Sequence, residues 1–367
     1  MGIQSGNMVN RERIVKTLLD LIKIDSPSGS EDKVAQELTA QLAALGGIIK
    51  NDTYGNVIAV FEGTGEPLLL SAHMDTVEPG RGIEPVVDGD VITSQGETVL
   101  GADPKAGIAA ILEAVASIKE SGEKHRPFEV VLTREEETGS EGAQNLAYEK
   151  LQSKNAVVFD GDAEVFHVNT AAPGYYKFDA TIVGRAAHAG LEPEKGISSI
   201  IIASEMVLAL PVGRIDEEST LNIGIIKGGS ARNAVPEKTE VTGETRSRDS
   251  QKLEKQAQIF RDVCDELSKK YVEAKIEYTL TKNFSSFSIP DSDLFVRGIG
   301  EALSSLGLES KFEPTGGGSD ANFFNAKGIK AVVVGTGVRD MHTTKENLNI
   351  PEMVQAAGFC EKLLLVV

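Results

Sequence analysis

The sequence predicts a mixed α/β domain with a largely parallel sheet, interrupted by a smaller α+β domain. Short apolar runs alternate with helical patterns in both end portions of the 367-residue chain, as expected for a parallel sheet that is covered by helices. Between them the order of elements is βαββαβ, the ferredoxin-like arrangement. The length also exceeds what one hydrophobic core usually serves. We therefore predict that residues 1–173 and 285–367 form the larger domain and that residues 174–284 are inserted into it.

Two helices are predicted at the start of the larger domain. Apolar residues from Ile14 to Ile22 recur at helical spacing. A second helix is expected to begin after Ser30, a candidate N-cap, and to end near Gly46. A third helix, rich in alanine and isoleucine, is predicted at residues 106–118. Strands of buried type are predicted at residues 57–61, 68–72, 130–133, 156–159 and 331–334.

The inserted domain shows strand and helix patterns in regular succession. Its strands are predicted at residues 177–183, 221–226, 239–247 and 275–280. Its helices are predicted at residues 197–210 and 252–271. The α/β pattern resumes near Ile289, so the larger domain is built from two separate stretches of the chain.

Composition argues against several classes of protein. The formal net charge is −18 and no basic run offsets it, which opposes binding to the phosphate backbone of nucleic acids. No apolar segment reaches the roughly 18 residues that a membrane-spanning helix needs. The two cysteines, Cys264 and Cys360, lie in apolar-periodic stretches and cannot form a disulfide framework. We expect them to be core residues of a protein of the reducing cytoplasm.

The segment Leu-Leu-Leu-Ser-Ala-His-Met-Asp places His73 directly after a buried-type strand, with Asp75 two residues later. The carboxyl ends of strands are where open α/β sheets bind ligands. A histidine at such a position can bind a metal ion while a nearby carboxylate fixes its orientation. A surface His–Asp pair is an equally open interpretation of this motif taken alone.

Four further segments carry acidic or imidazole side chains at comparable places. Asp103 precedes a helix, where it could also be a simple N-cap. The run Glu135–Glu137 follows an apolar strand, and it is either a solvated charge run or a source of one metal ligand and one free base. Asp160 ends another buried-type strand, and His342 follows the strand at residues 331–334. The five segments together predict a cluster in one crevice, whose carboxylates and imidazoles suit zinc, manganese or cobalt better than calcium.

The set His-x-Asp, Gly-x-Asp-x-Lys-x-Gly, Glu-Glu-x-Gly, Asp-Gly and a late His resembles the zinc exopeptidase superfamily, which contains peptidase T, carboxypeptidase G and the aminoacylases. The similarity covers nearly the whole chain, with the motifs in the family's order, and the peptidase T-like branch is the nearest group. It implies a catalytic domain that binds two divalent metal ions, most simply zinc, with cobalt or manganese able to use the same ligands. It also implies that the inserted domain serves as a lid and in dimerisation.

The resemblance implies a role for each residue of the cluster. The implied metal ligands are Asp103 as the bridge between the two ions, His73 and Asp160 in one site, and Glu137 and His342 in the other. Glu136 would be the general base, and Asp75 would be a carboxylate that orients His73.

Three residues of the inserted domain also match family positions. His188, in Gly-Arg-Ala-Ala-His-Ala-Gly, would help to stabilise the reacting oxyanion, which requires domain closure on the substrate. Asn233 and Arg246 would contact polar and carboxylate groups of the substrate. In relatives the histidine reaches across a dimer interface, which implies a homodimer. His125 and His167 match no family position, and a surface or structural role is expected for both.

The residues around Asp103 and a glycine-rich turn near the C-terminal part of the chain allow further structural predictions. Pro104 stands where the family commonly has another acid, at a bond that relatives often hold in cis. Because proline reduces the cost of a cis bond from roughly 3–4 kcal/mol to about 0.5–1 kcal/mol, we predict that Asp103–Pro104 is cis. Lys105 is expected to be a surface residue or a contact at the helix start, with no catalytic role. The turn Gly316–Asp320 resembles a family loop that lines the site, and a merely flexible loop is equally open.

These motifs predict a metal-dependent hydrolase of short peptides that resembles the tripeptide-cleaving aminopeptidases. An aminoacylase or a carboxypeptidase of the same fold is the first alternative, since it would differ only in the end of the substrate that it binds. A catalytically silent metal-binding protein is the second, and the complete ligand set with an intact Glu136 argues against it. Short peptides are the expected partners, with neither nucleic acid nor membrane among them.

Overall fold

The computed structural model describes residues 9–365. The α-helices in this range are α1 (Arg11–Ile22), α2 (Asp32–Ala44), α3 (Ala102–Ser121), α4 (Glu141–Gln144), α5 (Ser199–Ala209), α6 (Ser250–Lys270), α7 (Leu294–Ser305), α8 (Asp320–Ala326) and α9 (Ile350–Leu364). The β-strands are β1 (Ile48–Lys50), β2 (Val57–Phe61), β3 (Leu68–His73), β4 (Pro85–Asp88), β5 (Val91–Ser94), β6 (Phe128–Thr133), β7 (Asn155–Asp162), β8 (His167–Ala172), β9 (Gly174–Val183), β10 (Gly213–Asp216), β11 (Ser219–Gly228), β12 (Lys238–Ser247), β13 (Lys275–Phe284), β14 (Phe287–Ser288), β15 (Lys311–Pro314), β16 (Lys330–Arg339) and β17 (Asn347–Asn349).

The described chain divides into two compact units. The larger unit contains the described residues up to Ala171, the segment Ile289–Thr315 and the chain from Ser319 onward. The smaller unit contains Ala172–Ser288 and the short segment Gly316–Gly318. The smaller unit is thus inserted into the sequence of the larger one.

The larger unit is built on a mixed sheet with the strand order β1-β2-β6-β3-β7-β16-β17-β5-β4. Its central strands β6, β3, β7 and β16 are parallel to one another, and antiparallel strands flank them on both sides. Every residue of β3 and β6 is buried, which explains why these strands read as continuous apolar runs rather than as alternating ones. The predicted mixed α/β fold class is confirmed, with a sheet that is parallel at its centre and antiparallel on both sides.

Helix α3 lies close against this sheet because of a glycine. A Cβ atom at Gly107 would lie 2.0 Å from the main-chain oxygen of Phe159 in β7, so no larger residue fits there without displacing the helix. Almost the whole of α3 is buried, and it packs against α1 and α9 as well as the sheet. The close approach brings the N-terminus of α3 next to the carboxyl end of β7.

The smaller unit is an antiparallel sheet with the strand order β10-β11-β12-β9-β13. Without β10, a short edge strand that the sequence did not predict, the order of the four remaining strands is that of a ferredoxin-like fold. Helices α5 and α6 pack on the sheet through a core that includes Phe178, Ile202, Met206, Phe260 and Cys264. The ferredoxin-like arrangement is therefore confirmed.

The two cysteines are buried and unpaired, as predicted. Cys264 belongs to the core of the smaller unit, and Cys360 lies in α9 of the larger one. None of the helices between residues 9 and 365 combines the length and the apolar character needed to cross a bilayer.

Candidate metal centre

The predicted ligand segments of the larger unit meet at the carboxyl edge of its parallel strands. His73 is the last residue of β3, and Asp160 lies two residues before the end of β7. Glu136 and Glu137 lie in the loop after β6, and His342 follows β16. The parallel strands end at one edge of the sheet, so side chains that are distant in sequence become neighbours.

His73 is buried, and its two ring nitrogens face different partners. Nδ1 lies 3.0 Å from the main-chain oxygen of Asp75 and 3.2 Å from its Oδ1. The Asp75 carboxylate accepts hydrogen bonds from Ser28 Oγ at 2.6 Å and from the backbone N–H groups of Glu136 and Glu137 at 3.0 and 3.2 Å. With Nδ1 held in this way, Nε2 faces the cluster, which is the orientation that a metal-binding imidazole needs.

Asp103 lies between two imidazoles. Its Oδ1 is 3.6 Å from Nε2 of His73, and its Oδ2 is 3.2 Å from Nε2 of His342. The carboxylate is buried, and Oδ1 has no hydrogen-bond partner among residues 9–365. Asp103 does not cap α3, since the N-cap is Gly101 (φ 68°) and no side chain makes a cap bond there.

The potential ligand atoms form three overlapping groups, within each of which all atoms lie within 4.8 Å of one another. The groups are His73–Asp103–Asp160, Asp103–Glu137–His342 and His73–Glu136–Glu137. Nε2 of His73 is 3.3 Å from Oδ1 of Asp160, and Nε2 of His342 is 3.0 Å from Oε1 of Glu137. Asp103 belongs to both of the first two groups, so its carboxylate connects them.

The concentration of charge changes the proton affinity of several groups. Burial alone would lower the pKa of His73, but the charge of Asp160 and the other neighbouring carboxylates raise it well above its usual value. The adjacent carboxylates of Asp103 and Glu137 raise the pKa of His342 to about 10. Burial raises the pKa of Asp160 to about 7, although the charge of His73 opposes the rise. The cluster thus holds more negative charge than its two imidazoles neutralise.

Burial also raises the pKa of Glu136 well above the usual carboxyl range. The charge of His73 opposes this rise, whereas the neighbouring carboxylates of Asp160, Asp320 and Glu137 add to it. A carboxylate with a raised pKa is a stronger base than an ordinary one, as general base catalysis near neutral pH requires.

The donor set of the cluster fits divalent metal ions. It combines imidazole nitrogens with carboxylate oxygens, the ligands that zinc takes in proteins. Two of its buried oxygens, Asp103 Oδ1 and Glu137 Oε1, make no hydrogen bond within the described part of the chain. A buried polar atom without a partner is costly in a folded protein, and a cation at these atoms would satisfy both.

Glu346 is a residue of this site that the sequence did not reveal. Its buried carboxylate accepts hydrogen bonds from the backbone N–H groups of Leu100, Gly101 and Asp103 at 2.8, 2.9 and 2.9 Å. No local pattern marks this role, since Glu346 stands among polar residues and 243 positions separate it from Asp103.

Glu31 plays a comparable part for the loop after β6. The sequence predicts a second helix that begins after Ser30 as its N-cap, whereas in the structure α2 starts at Asp32 and the N-cap position belongs to Glu31, whose side chain makes no cap bond. That prediction of the cap is wrong. The Glu31 carboxylate accepts from the Glu135 backbone at 3.1 Å and from Arg134 Nε and Nη2 at 3.1 and 2.9 Å. It therefore holds the backbone that leads into Glu136.

The Asp320 end of the Gly316–Asp320 turn lies beside the cluster. The Asp320 carboxylate is buried and accepts a hydrogen bond from Thr133 Oγ1, and burial raises its pKa to about 6. Its charge acts on the cluster carboxylates, so this end of the Gly316–Asp320 turn is part of the surroundings of the site.

Lys105 is fully buried, with Nζ donating to the Ile24 main-chain oxygen at 3.1 Å, and burial lowers its pKa to about 8. The surface position considered for Lys105 is wrong, whereas its contact at the helix start is present.

One peptide bond beside the cluster and two histidines away from it have the features that the sequence predicts. The Asp103–Pro104 peptide is cis, as predicted. His125 and His167 lie outside the cluster: Nδ1 of His125 is 2.9 Å from the Arg126 main-chain oxygen, and Nδ1 of His167 is 2.5 Å from Oε1 of Glu313.

The three predicted substrate residues of the smaller unit lie on three of its segments, two of which pair with each other. His188 and Ala234 form an isolated antiparallel bridge, and the Ala189 backbone donates to the main-chain oxygen of Asn233 at 2.9 Å. His188 and Asn233 are exposed. Arg246 is half-buried on β12, where its Nε lies 3.0 Å from Oε1 of Glu244.

The family described as Peptidase family M20/M25/M40 matches residues 69–366, most of the chain. The chain belongs to this family. It is therefore a metal-dependent hydrolase of the peptidase class, so the predicted superfamily and enzyme class are confirmed. The catalytically silent alternative loses its support.

Several M20 relatives match over almost their whole length. The Bacillus subtilis (strain 168) protein YqjE is 36% identical over 360 residues, which are 95% of this chain and 97% of that protein. The crystal structure of a tripeptidase from Staphylococcus aureus subsp. aureus Mu50 has a TM-score of 0.93 and 34% identity, and it covers 97% of this chain and 98% of its own. The structure of aminopeptidase PepT from Bacillus cereus ATCC 10987 has a TM-score of 0.90 and 33% identity, with 97% and 98% coverage.

Proposed function

We propose that this M20 peptidase is a dinuclear zinc aminopeptidase that removes the N-terminal residue from tripeptides. The observation that carries the proposal is the Asp103 carboxylate, whose oxygens face Nε2 of His73 and Nε2 of His342 at 3.6 and 3.2 Å. The similarity to a tripeptidase and to an aminopeptidase PepT over 97% of the chain supports the choice of substrate.

The residues of the larger unit take the following roles in this proposal. His73, Asp103, Glu137, Asp160 and His342 would hold two metal ions, which would lower the pKa of the attacking water and polarise the scissile carbonyl. Glu136 takes the proton of the attacking water at its carboxylate and returns it to the leaving amine. Asp75 keeps the His73 ring in orientation through its contacts with Nδ1.

The residues of the smaller unit are assigned to the substrate. His188 donates a hydrogen bond to the oxygen that becomes negative in the transition state. Asn233 and Arg246 bind polar and carboxylate groups of the peptide. Arg246 pairs with Glu244 and lies over the Tyr175 ring, 4.9 Å from its centroid, so a substrate carboxylate would take the place of Glu244 as its partner.

A hydrolysis panel tests the substrate. Zinc- and cobalt-loaded protein is incubated with a free tripeptide, its N-acetylated form, the corresponding dipeptide and an N-acyl amino acid, and the released amino acids are identified by mass spectrometry. We expect release of the N-terminal residue from the free tripeptide alone, with the N-acetylated tripeptide as the matched control. Cleavage of the N-acyl amino acid instead would favour an aminoacylase, and release of the C-terminal residue would favour a carboxypeptidase.

We also propose that the enzyme is a homodimer that pairs through its smaller unit. The part of β11 beyond Leu221 has no neighbour on the side opposite β12 within the described residues, and an open strand edge is a template for pairing with another chain. Apolar side chains accompany this edge, with Ile225 60% exposed and Ile226 52% exposed on β11 itself, and Ile200 of α5, which lies next to Gly229 just beyond β11, 40% exposed. An isolated apolar residue needs no explanation, but a cluster of them marks an interaction surface.

Charge substitution tests the dimer. We expect the protein to have twice the mass of one chain by light scattering, and Ile225→Glu to shift it to a monomer, because a carboxylate cannot be buried without a partner. Leu294→Glu is the matched control, since Leu294 is 82% exposed in the larger unit. A monomeric protein, or a dimer that Ile225→Glu leaves intact, would contradict this pairing.

The cytoplasmic location stays a prediction from the two unpaired cysteines.

A further inference from the structure

We propose that Glu346 is a positioning residue that holds the Asp103 carboxylate between the two metal positions. Its carboxylate collects three backbone N–H groups from the segment Leu100–Asp103, with N···O distances of 2.8 to 2.9 Å. The inference rests on the proposed metal centre and concerns how that centre is built.

The N-cap residue of α3 cannot fix the backbone that carries Asp103. The first N–H groups of a helix have no partner within the helix and need a cap. Helix α3 starts from Gly101, which has no side chain to supply one, and Asp103 has ψ 111°, outside helical geometry. Glu346 Oε1 accepts from the Asp103 amide and Oε2 accepts from those of Leu100 and Gly101. A carboxylate brought in from a distant part of the chain thus caps this helix start, where negative charge is favourable.

The same glutamate belongs to the segment that supplies the second imidazole. His342 stands four residues before Glu346, and the Glu346 amide donates to the main-chain oxygen of Thr343 at 3.1 Å, which closes the turn between them. Nε2 of His342 in turn lies 3.2 Å from Asp103 Oδ2. Asp103 is therefore joined to the His342 segment at two points, through its backbone amide and through its carboxylate. This double connection sets the distance between two proposed ligands that come from opposite ends of the sequence.

The substitution Glu346→Gln tests whether Glu346 positions Asp103 through its hydrogen bonds or only fills space with its side chain. Glutamine has the shape of glutamate but only one acceptor oxygen, whereas both oxygens of Glu346 accept N–H groups. In either orientation of the amide, its NH2 group faces at least one backbone N–H. Two donors cannot hydrogen-bond to each other, so the backbone around Asp103 should shift. A residue that hydrogen-bonds to a metal ligand without touching the metal is an outer partner of that ligand. Loss of such a residue typically weakens metal binding or activity about 10–100-fold.

Glu129 offers a matched control within the same unit. Its buried carboxylate accepts the backbone N–H groups of Gln152 and Ser153, both at 2.9 Å. Glu129 is the second residue of β6, whereas the cluster lies beyond the last residue of that strand, Thr133. At about 3.3 Å per residue the two are on the order of 13 Å apart. Glu129→Gln therefore disrupts the same kind of contact without touching the proposed ligands.

The experiment compares the wild type, Glu346→Gln and Glu129→Gln. Affinities for cobalt and zinc are measured by competition with a chromogenic chelator, and the visible absorption spectrum of the cobalt-loaded protein reports the geometry around the ion. For Glu346→Gln we expect about 10–100-fold weaker metal binding and an altered cobalt spectrum. For Glu129→Gln we expect wild-type affinity and spectrum. Far-UV circular dichroism and thermal unfolding of the metal-free proteins establish that each variant is folded.

The outcomes distinguish this inference from the proposed function. If wild-type protein binds no metal, the proposed metal centre fails, whatever the variants do. If wild-type protein binds two equivalents and folded Glu346→Gln matches it in affinity and spectrum, the positioning role is overturned. If both variants lose affinity equally, Glu346 contributes only general stability, which also overturns the role. If Glu346→Gln does not fold, Glu346→Asp, which keeps both acceptor oxygens on a shorter chain, takes its place with the same criteria.

Discussion

Glu136→Gln is expected to reduce the turnover number by at least about 10²–10⁴-fold, the contribution of a general base, while two equivalents of metal remain bound. Glutamine keeps the shape of the side chain but cannot take a proton from the attacking water. The backbone of Glu136 is held independently of its side chain, since its N–H donates to Asp75 Oδ1 at 3.0 Å. The loop and the neighbouring Glu137 should therefore keep their places.

Metal content decides between two roles that the geometry allows for this glutamate. Glu136 also belongs to a potential ligand group with His73 and Glu137, and its Oε2 is 4.0 Å from Nε2 of His73. A ligand at that position would make Glu136→Gln lose metal together with activity. We measure steady-state kinetics beside metal content by plasma mass spectrometry. Glu135→Gln is the matched control, because the Glu135 side chain contacts Tyr54 rather than the cluster. Near-normal turnover of Glu136→Gln would exclude Glu136 as the base.

The sequence predicted those parts of the site that have a local signal. His73 and Asp160 stand at the ends of buried apolar strands, and parallel strands bring such ends together, so their meeting follows from the strand order. The same reasoning identified the strands and helices of the ferredoxin-like unit, whose periodic apolar positions are buried.

The parts that it did not predict depend on contacts between distant segments. Glu346 and Glu31 are glutamates in ordinary polar surroundings, and only the folded chain shows that each binds the backbone of a loop about 100 or more positions away. A glutamate at a helix start normally suggests a favourable interaction with the helix dipole, which hid the role of Glu31. Strand β10 was missed for another reason: its four residues are mostly exposed, so it has no apolar alternation to detect.

Asp103→Ala is expected to abolish activity and to weaken metal binding by more than about 100-fold, beyond the range for an outer partner of a ligand. The change removes the carboxylate whose two oxygens lie 3.6 Å from Nε2 of His73 and 3.2 Å from Nε2 of His342. It leaves the two imidazoles and the remaining carboxylates without a common centre. Zinc should then fail to raise the unfolding temperature of the variant, whereas it stabilises the wild type by binding the folded state.

Asp249→Ala is the control that separates metal binding from helix capping. Asp249 is a true N-cap, whose carboxylate accepts the backbone N–H groups of Gln251 and Lys252 at the start of α6. Its loss should cost about 1 kcal/mol of stability and leave metal binding unchanged. If Asp103 served only as a helix residue, Asp103→Ala would behave in the same way, with a small loss of stability and normal metal content. Equilibrium dialysis with zinc and calorimetric unfolding distinguish the two results, because only the loss of a metal ligand links weaker metal binding to the loss of zinc-dependent stabilisation.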